Sequence, residues 1–265
     1  FANEPEVEKD KSVYHLFNPT PTELMRDLST DRPDKTESPY TVDAGHIQIE
    51  ADIASYSRDH ESGTRVDSWS FFNANLKVGL CNNSDLQLVV PTYSSMRARS
   101  AGNTERNSGF GDLVTRLKIN FWGNDGGKTA FAAMPFVKFP TAQDDLSNGA
   151  FEGGIIFPLA VELPREWGMG LMTEFDFNKD ESGGGHHAEF INSITFSHQI
   201  VGDLAGYAEF FSSVSAESDS DWIGTIDVGL VYALTENIQL DAGMNFGITR
   251  AADDFNPFAG ITIRF

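Results

Sequence analysis

Charged residues in this chain keep to one parity of a two-residue period, and that constrains the fold more than any other feature. Leu113, Leu117, Ile119 and Phe121 alternate with Asp112, Arg116, Lys118 and Asn120. Trp167, Met169, Leu171, Phe175 and Phe177 oppose Glu174 and Asp176. Ile238, Leu240, Ala242, Met244, Phe246 and Ile248 oppose Gln239, Asp241, Asn245 and Thr249. Ile155, Phe157, Leu159, Val161 and Leu163 oppose Glu152 and Glu162, and Val66, Ser68, Ser70, Leu76 and Val78 oppose Asp67, Asn75 and Lys77. A period of two is that of a strand with unlike faces. A charge facing lipid at the bilayer midplane costs about 2–4 kcal/mol, so this segregation is what a membrane barrel needs.

Twelve such segments follow Gly45, at roughly 45–57, 66–80, 85–98, 110–122, 129–141, 150–163, 167–178, 187–200, 204–215, 222–234, 238–250 and 257–265. Ten residues suit a strand tilted across a bilayer. Short connections such as Cys81–Ser84 and Val201–Asp203 alternate with longer ones such as Ser57–Arg65, Met96–Gly109 and Asn178–His186. The predicted fold is all-β: a twelve-stranded antiparallel transmembrane barrel over residues 45–265, with short turns and both termini periplasmic. A water-soluble barrel would place the apolar face inside, and alternation does not choose between the two. Three features favour the membrane: the number of charges, a lumen too wide for a dry core, and a closing strand that ends on Phe265.

Composition bounds the alternatives. The formal charge of −20 argues against nucleic acid, whose binding needs a basic surface. No apolar run approaches the ~18 residues of a membrane helix. A mean hydropathy of −0.28 allows an acidic soluble β-protein, but half of each barrel strand also faces water. Cys81 is the sole cysteine, so there is no internal disulfide. Phe1-Ala-Asn-Glu-Pro5 is not a basic-then-apolar leader, and the chain is expected to be mature after export. Residues 1–44 carry five prolines and no sustained alternation. They read as a mostly irregular extension, with a short helix over Pro21–Leu28 capped by Thr20, lying against or inside one mouth of the barrel.

Three stretches go beyond periodicity: Leu28 to Val42 with Gly45-His-Ile-Gln-Ile-Glu50, Gly109-Phe-Gly-Asp-Leu113 with Lys118, and Leu240-Asp-Ala-Gly243 with Gly247-Ile-Thr249 and Gly260–Phe265. They resemble the outer-membrane transporter family named for the phenol-degradation meta pathway. The resemblance spans residues 28–265 and implies a barrel channel or transporter, without catalytic residues to carry over.

By parity the lumen is lined by Glu50, Asp52, Asp67, Asp112, Glu152, Glu162, Glu174, Asp176, Glu189, Glu209, Asp227 and Asp241. The bases are Lys77, Arg116, Lys118, Lys138 and Arg264. The acid excess fits a passage that attracts cations; alternatively these charges pair and fill the lumen. Asp31, Arg32 and Asp34 are candidates for a plug or gate, with Arg32 bidentate to a lumen carboxylate, or for a strap that only caps the first strand. His186 and His187 with Asp180 or Glu181 make a poor metal site, and acidic loops could bridge divalent cations to lipopolysaccharide. No cofactor is implied. His198 and Ser197 are adjacent, so they point to opposite faces and form no catalytic pair; His198 suits an interfacial girdle.

The expected function is passive passage of small solutes, apolar or aromatic ones among them, through the bacterial outer membrane. The alternative is a non-conducting barrel in a larger envelope or surface assembly. Expected partners are outer-membrane lipid, lipopolysaccharide and the solute.

Overall fold

The structure, a computed structural model, describes residues 10–143, 146–180, 184–218 and 220–265. Twelve antiparallel strands close into a barrel. They are β1 (Ile47–Glu61), β2 (Thr64–Phe71 and Ala74–Cys81), β3 (Ser84–Val90 and Tyr93–Ser100), β4 (Asn103–Gly109 and Leu113–Trp122), β5 (Thr129–Phe139) and β6 (Glu152–Leu163). Then come β7 (Trp167–Lys179), β8 (His186–Val201), β9 (Leu204–Ser215), β10 (Ile223–Thr235), β11 (Ile238–Gly247) and β12 (Phe255–Arg264). Each strand pairs with the next, and β12 returns to β1 with Gln48 opposite Arg264 and Glu50 opposite Thr262. Closure satisfies backbone groups that lipid could not.

Burial is inverted relative to a soluble protein. Lys118, Asp85, Gln87 and Asp227 are fully buried, whereas Phe121, Trp122, Phe177, Leu230 and Phe246 are exposed. The apolar stripes therefore face outward, and the core is polar. Among the described residues, no helix is long and apolar enough to cross a membrane.

A line of interruptions crosses four neighbouring strands. β1 has a bulge between Asp52 and Ala54. β2 breaks at Phe72, whose φ is 53°, and β3 at Pro91, which cannot donate to a ladder. β4 breaks over 110–112, where the Gly111 N–H bonds to the Pro91 carbonyl at 3.0 Å. One inserted residue turns every later side chain to the other face. Below the line Glu50 and Asp52 share the inward face of Gly260 and Thr262; above it Ser55 pairs with Phe258 and takes that face instead. Ser55 also pairs with Ser70, and Arg58 with Asp67.

Asp67 consequently points out of the barrel, which corrects its predicted place in the lumen; Ser68 and Ser70, predicted to face lipid, point in. Uninterrupted parity missed the flip because it takes four coordinated breaks.

Three further expectations change. The longer loops at Ser57–Arg65 and Met96–Gly109 are tight hairpins, turning at Ser62-Gly63 (φ 51° and 81°) and Ala101-Gly102 (φ 45° and 89°). Two successive positive φ values match the twist of the flanking strands. The helix over Pro21–Leu28 is a single 3-10 turn, Thr22–Leu24, with no side-chain cap. Pro21 takes the N-cap position and displaces Thr20 from it.

Leu117→Arg places a charge on the outer face and should lower stability by about 2–4 kcal/mol if near the midplane. Ser70→Arg points into the wet interior and should fold normally. Heat-modifiability on gels reads both; damage from Ser70→Arg as great as that from Leu117→Arg would restore the uninterrupted face assignment.

Candidate functional site: a strap through the barrel

Residues 28–43 run through the barrel interior and touch opposite walls. Asp31 is buried and receives Lys118 from β4 at 2.5 Å and Lys77 from β2. Lys77 also pairs with Glu50 of β1, and the Asp31 N–H donates to both Glu50 oxygens at 3.0 and 3.2 Å. Three walls thus converge on one strap residue.

Arg32 turns from β1 toward β11. Its Nη1 donates to Asp52 at 2.6 Å, and its Nη2 and Nε to Asp241 of β11 at 2.6 and 3.2 Å. That fork is the bidentate geometry guanidinium favours. Gly260 of β12 makes room for it: a methyl group there would collide with the Arg32 guanidinium. Lys35 reaches Thr225 at 2.8 Å and Asp227 at 3.1 Å. The backbone N–H groups of Lys35 and Thr36 donate to Glu209 at 2.9 and 2.8 Å. The Thr36 hydroxyl lies 2.6 Å from both Glu209 and Ser193.

The strap then turns back. Glu37 pairs with Arg116 at 2.6 Å. Asn120 donates to the Pro39 carbonyl at 2.9 Å, and Val42 donates to Asp85 at 3.0 Å. Asp43 lies 3.3 Å from Arg26 and 3.7 Å from Arg264, whose Nη1 donates to the Arg26 carbonyl. Gly79 lets this stretch lie flat on β2, since a side chain there would strike the Asp43 carbonyl. At the short-turn rim Asp125 meets Lys11 at 2.7 Å and Arg26 at 3.2 Å. Burial pushes the Asp125 carboxyl up; the hydrogen bonds from Lys11 and Asn82 and the Arg26 charge outweigh it and hold it below the usual carboxylate range.

The remaining sequence candidates divide. Lys138 pairs with Glu152 and lies 3.6 Å from Asp112, which also accepts from Thr141, Ala142 and Ser147 near the long-loop end. Glu162 is exposed at the opposite rim. Asp34 enters no ion pair among the described residues, nor do Glu174, Asp176 and Glu189. Asp176 stands directly opposite Glu189, which accepts from Asn178 at 2.7 Å. Unpaired acids therefore gather on β7 and β8.

Sequence reasoning missed the strap's own partners, Lys35, Thr36 and Glu37, and the buried wall carboxylate Asp85. It also missed an apolar patch on the inward parity of β5–β8. Met134, Ile156 and Met172 are buried together, with Phe136 and Ile191 packed against them. Glu37 N–H points at the Met172 sulfur, 3.4 Å away. The signal was present, since Met134, Ile156 and Met172 share parity with charged neighbours, but only charges were counted.

The histidine loop also differs. His187 meets Asp180 at 3.0 Å and Glu217 at 3.6 Å, and these three could hold one metal ion. His186 turns to the Phe151 carbonyl, and Glu181 lies outside the described residues. His198 packs against Trp167 with ring centres 4.7 Å apart and the planes tilted by 47°.

Solved structures share this architecture. An outer membrane channel from Pseudomonas putida F1 superposes with a TM-score of 0.64 at 14% identity, over 89% of this chain and all of that one. The NanC porin gives 0.52 at 9% identity, over 82% of this chain and 98% of its own. At such identities the likeness shows a shared outer-membrane barrel fold. No curated protein matches. Residues 30–265 match one family, covering the strap from Thr30 onward and every strand, and the chain belongs to that family, described as "Putative MetA-pathway of phenol degradation".

Proposed function

We propose that this chain is an outer-membrane channel for small solutes, with the strap of residues 28–43 as its gate and both termini at the periplasmic rim. The observation that carries this reading is how the strap is held. No strand forms within residues 28–43, and its anchors are side-chain ion pairs and single hydrogen bonds. Such a segment can leave the wall while the strand ladder stays closed.

The solute class follows from the lining. The Met134, Ile156 and Met172 patch offers an apolar surface beside the strap, and methionine adapts to aromatic guests. Glu174, Asp176 and Glu189 have no basic partner among the described residues and would attract cations and repel anions. A neutral phenol-sized aromatic suits both features, in keeping with the family's description. A second reading has one observation in its favour: the strap neutralises Asp52, Asp227 and Asp241 and occupies the lumen. On that reading the barrel is non-conducting and serves an envelope assembly.

Asp31→Ala leaves the buried Lys118 cation without its ion-pair partner and Lys77 with Glu50 alone, at a cost of about 3–5 kcal/mol to strap docking. Trypsin should then cut after Lys35 while the heat-shifted barrel band persists, and single-channel conductance in planar bilayers should rise. Unchanged conductance with a cut strap would favour the non-conducting barrel.

Ion selectivity gives an independent check. Reversal potentials across a salt gradient should show cation preference, and Glu174→Gln with Asp176→Asn should weaken it, more so at low salt where screening is weaker. Anion preference in the unaltered channel would contradict the assignment of these acids to the passage.

A further inference from the structure

The face flip in β1–β4 leaves an unusual surface on the outer wall at the long-loop end. Arg58, Asp67, Arg97 and Arg106 form one row of directly opposed residues across four strands. Arg65 and Arg99 oppose each other in the next row. Like charges directly opposite destabilise a sheet unless something neutralises them. Among the described residues, Asp67 is the single carboxylate in the cleft. It meets Arg65 at 2.8 Å and Arg58 at 3.3 Å, with Arg99 at 4.0 Å, and accepts from the Tyr56 hydroxyl at 2.5 Å. Arg97 and Arg106 enter no ion pair among the described residues, and Arg97 Nε is buried without a partner. Five guanidinium groups thus surround one acid in a cleft of about 600 Å³, on a chain whose net charge is −20.

What lies beside this cleft points to its occupant. Trp69 stacks on Phe71 with centroids 6.1 Å apart, Phe71 lies 6.5 Å from Tyr93, and Tyr56 lies 4.5 Å from Trp69. Trp69, Phe71 and Tyr93 are exposed. An outward aromatic cluster of this kind marks the membrane–water interface. The arginines therefore sit at headgroup depth on the lipid side, where a dissolved solute in the lumen does not reach them. Guanidinium forks match phosphate oxygens in pairs, which a lysine cluster would not.

We propose that this cleft binds the phosphate groups of a lipopolysaccharide in the outer leaflet, with Arg97 and Arg106 as principal contacts and the aromatic cluster against the acyl chains. The leaflet assignment rests on the orientation proposed above, with the long-loop end outside the cell.

Two experiments test the site and the orientation separately. Native mass spectrometry of the detergent-purified protein is read with three probes: lipid A, dephosphorylated lipid A and inorganic phosphate. Lipid A should bind, and the double variant Arg97→Ser, Arg106→Ser should bind it at least tenfold more weakly while keeping its heat-shifted band. Dephosphorylated lipid A should bind the unaltered protein no better than lipid A binds the variant. Equal binding of lipid A by variant and parent, or of the two lipids by the parent, would overturn the proposal. So would inorganic phosphate binding as tightly as lipid A, which would mark a free-anion site. For orientation, Asn103→Cys in a Cys81→Ser background should be labelled on intact cells by a membrane-impermeant maleimide. Retained lipid A binding without that labelling would place the cleft at the wrong leaflet and overturn the lipopolysaccharide assignment while leaving the phosphate chemistry intact.

Discussion

Lys77 and Lys118 extend from different strands to the same carboxylate, Asp31, in a site almost closed to water. The rest of the molecule is arranged around that contact. Lipid outside forces the apolar faces outward, so the charges turn in. Once turned in, they must be solvated or paired, because an isolated buried charge is costly. The strap supplies the pairing: Asp31 for the two lysines, Arg32 for Asp52 and Asp241, Lys35 for Asp227, Glu37 for Arg116. The polar interior and the strap inside it are two consequences of one constraint.

Barrel class and strand number were legible because charge parity recurs in most strands. Pairs such as Glu50 with Lys77, or Asp227 with Lys35, were not, because parity gives a face and no depth or azimuth. Asp67 shows where parity fails. One bulge at Ile53 is invisible in composition, yet with the breaks at Phe72, Pro91 and Gly111 it reverses the wall of four strands. Pro91 was the one visible warning, since proline in a strand calls for a bulge or an edge. The strap's charged stretch was legible as a plug candidate around Asp31, Arg32 and Asp34. Of these, Asp31 and Arg32 carry the ion pairs, and the neighbouring Lys35 and Glu37 share that work, because an irregular segment has no period from which to choose contacts.

The interior is uneven, and that unevenness bears on passage. Ion pairs to the strap concentrate on β1, β2, β4, β10 and β11, whereas β5–β8 contribute an apolar patch and, on β7 and β8, acids without basic partners among the described residues. A strap tied firmly on one side and loosely on the other is suited to partial displacement. The outward arginine cleft then has a separate role, at the lipid surface.

The most direct measurement locks the strap in place. Thr36 and Ser193 hydroxyls lie 2.6 Å apart, so Thr36→Cys with Ser193→Cys, in a Cys81→Ser background, should form a disulfide with its S–S bond of about 2.05 Å. Single-channel current in planar bilayers is recorded before and after a reductant is added to the oxidised protein. The account expects a closed or nearly closed channel when the disulfide is intact and openings that appear on reduction. Equal current in both states would contradict a gating strap.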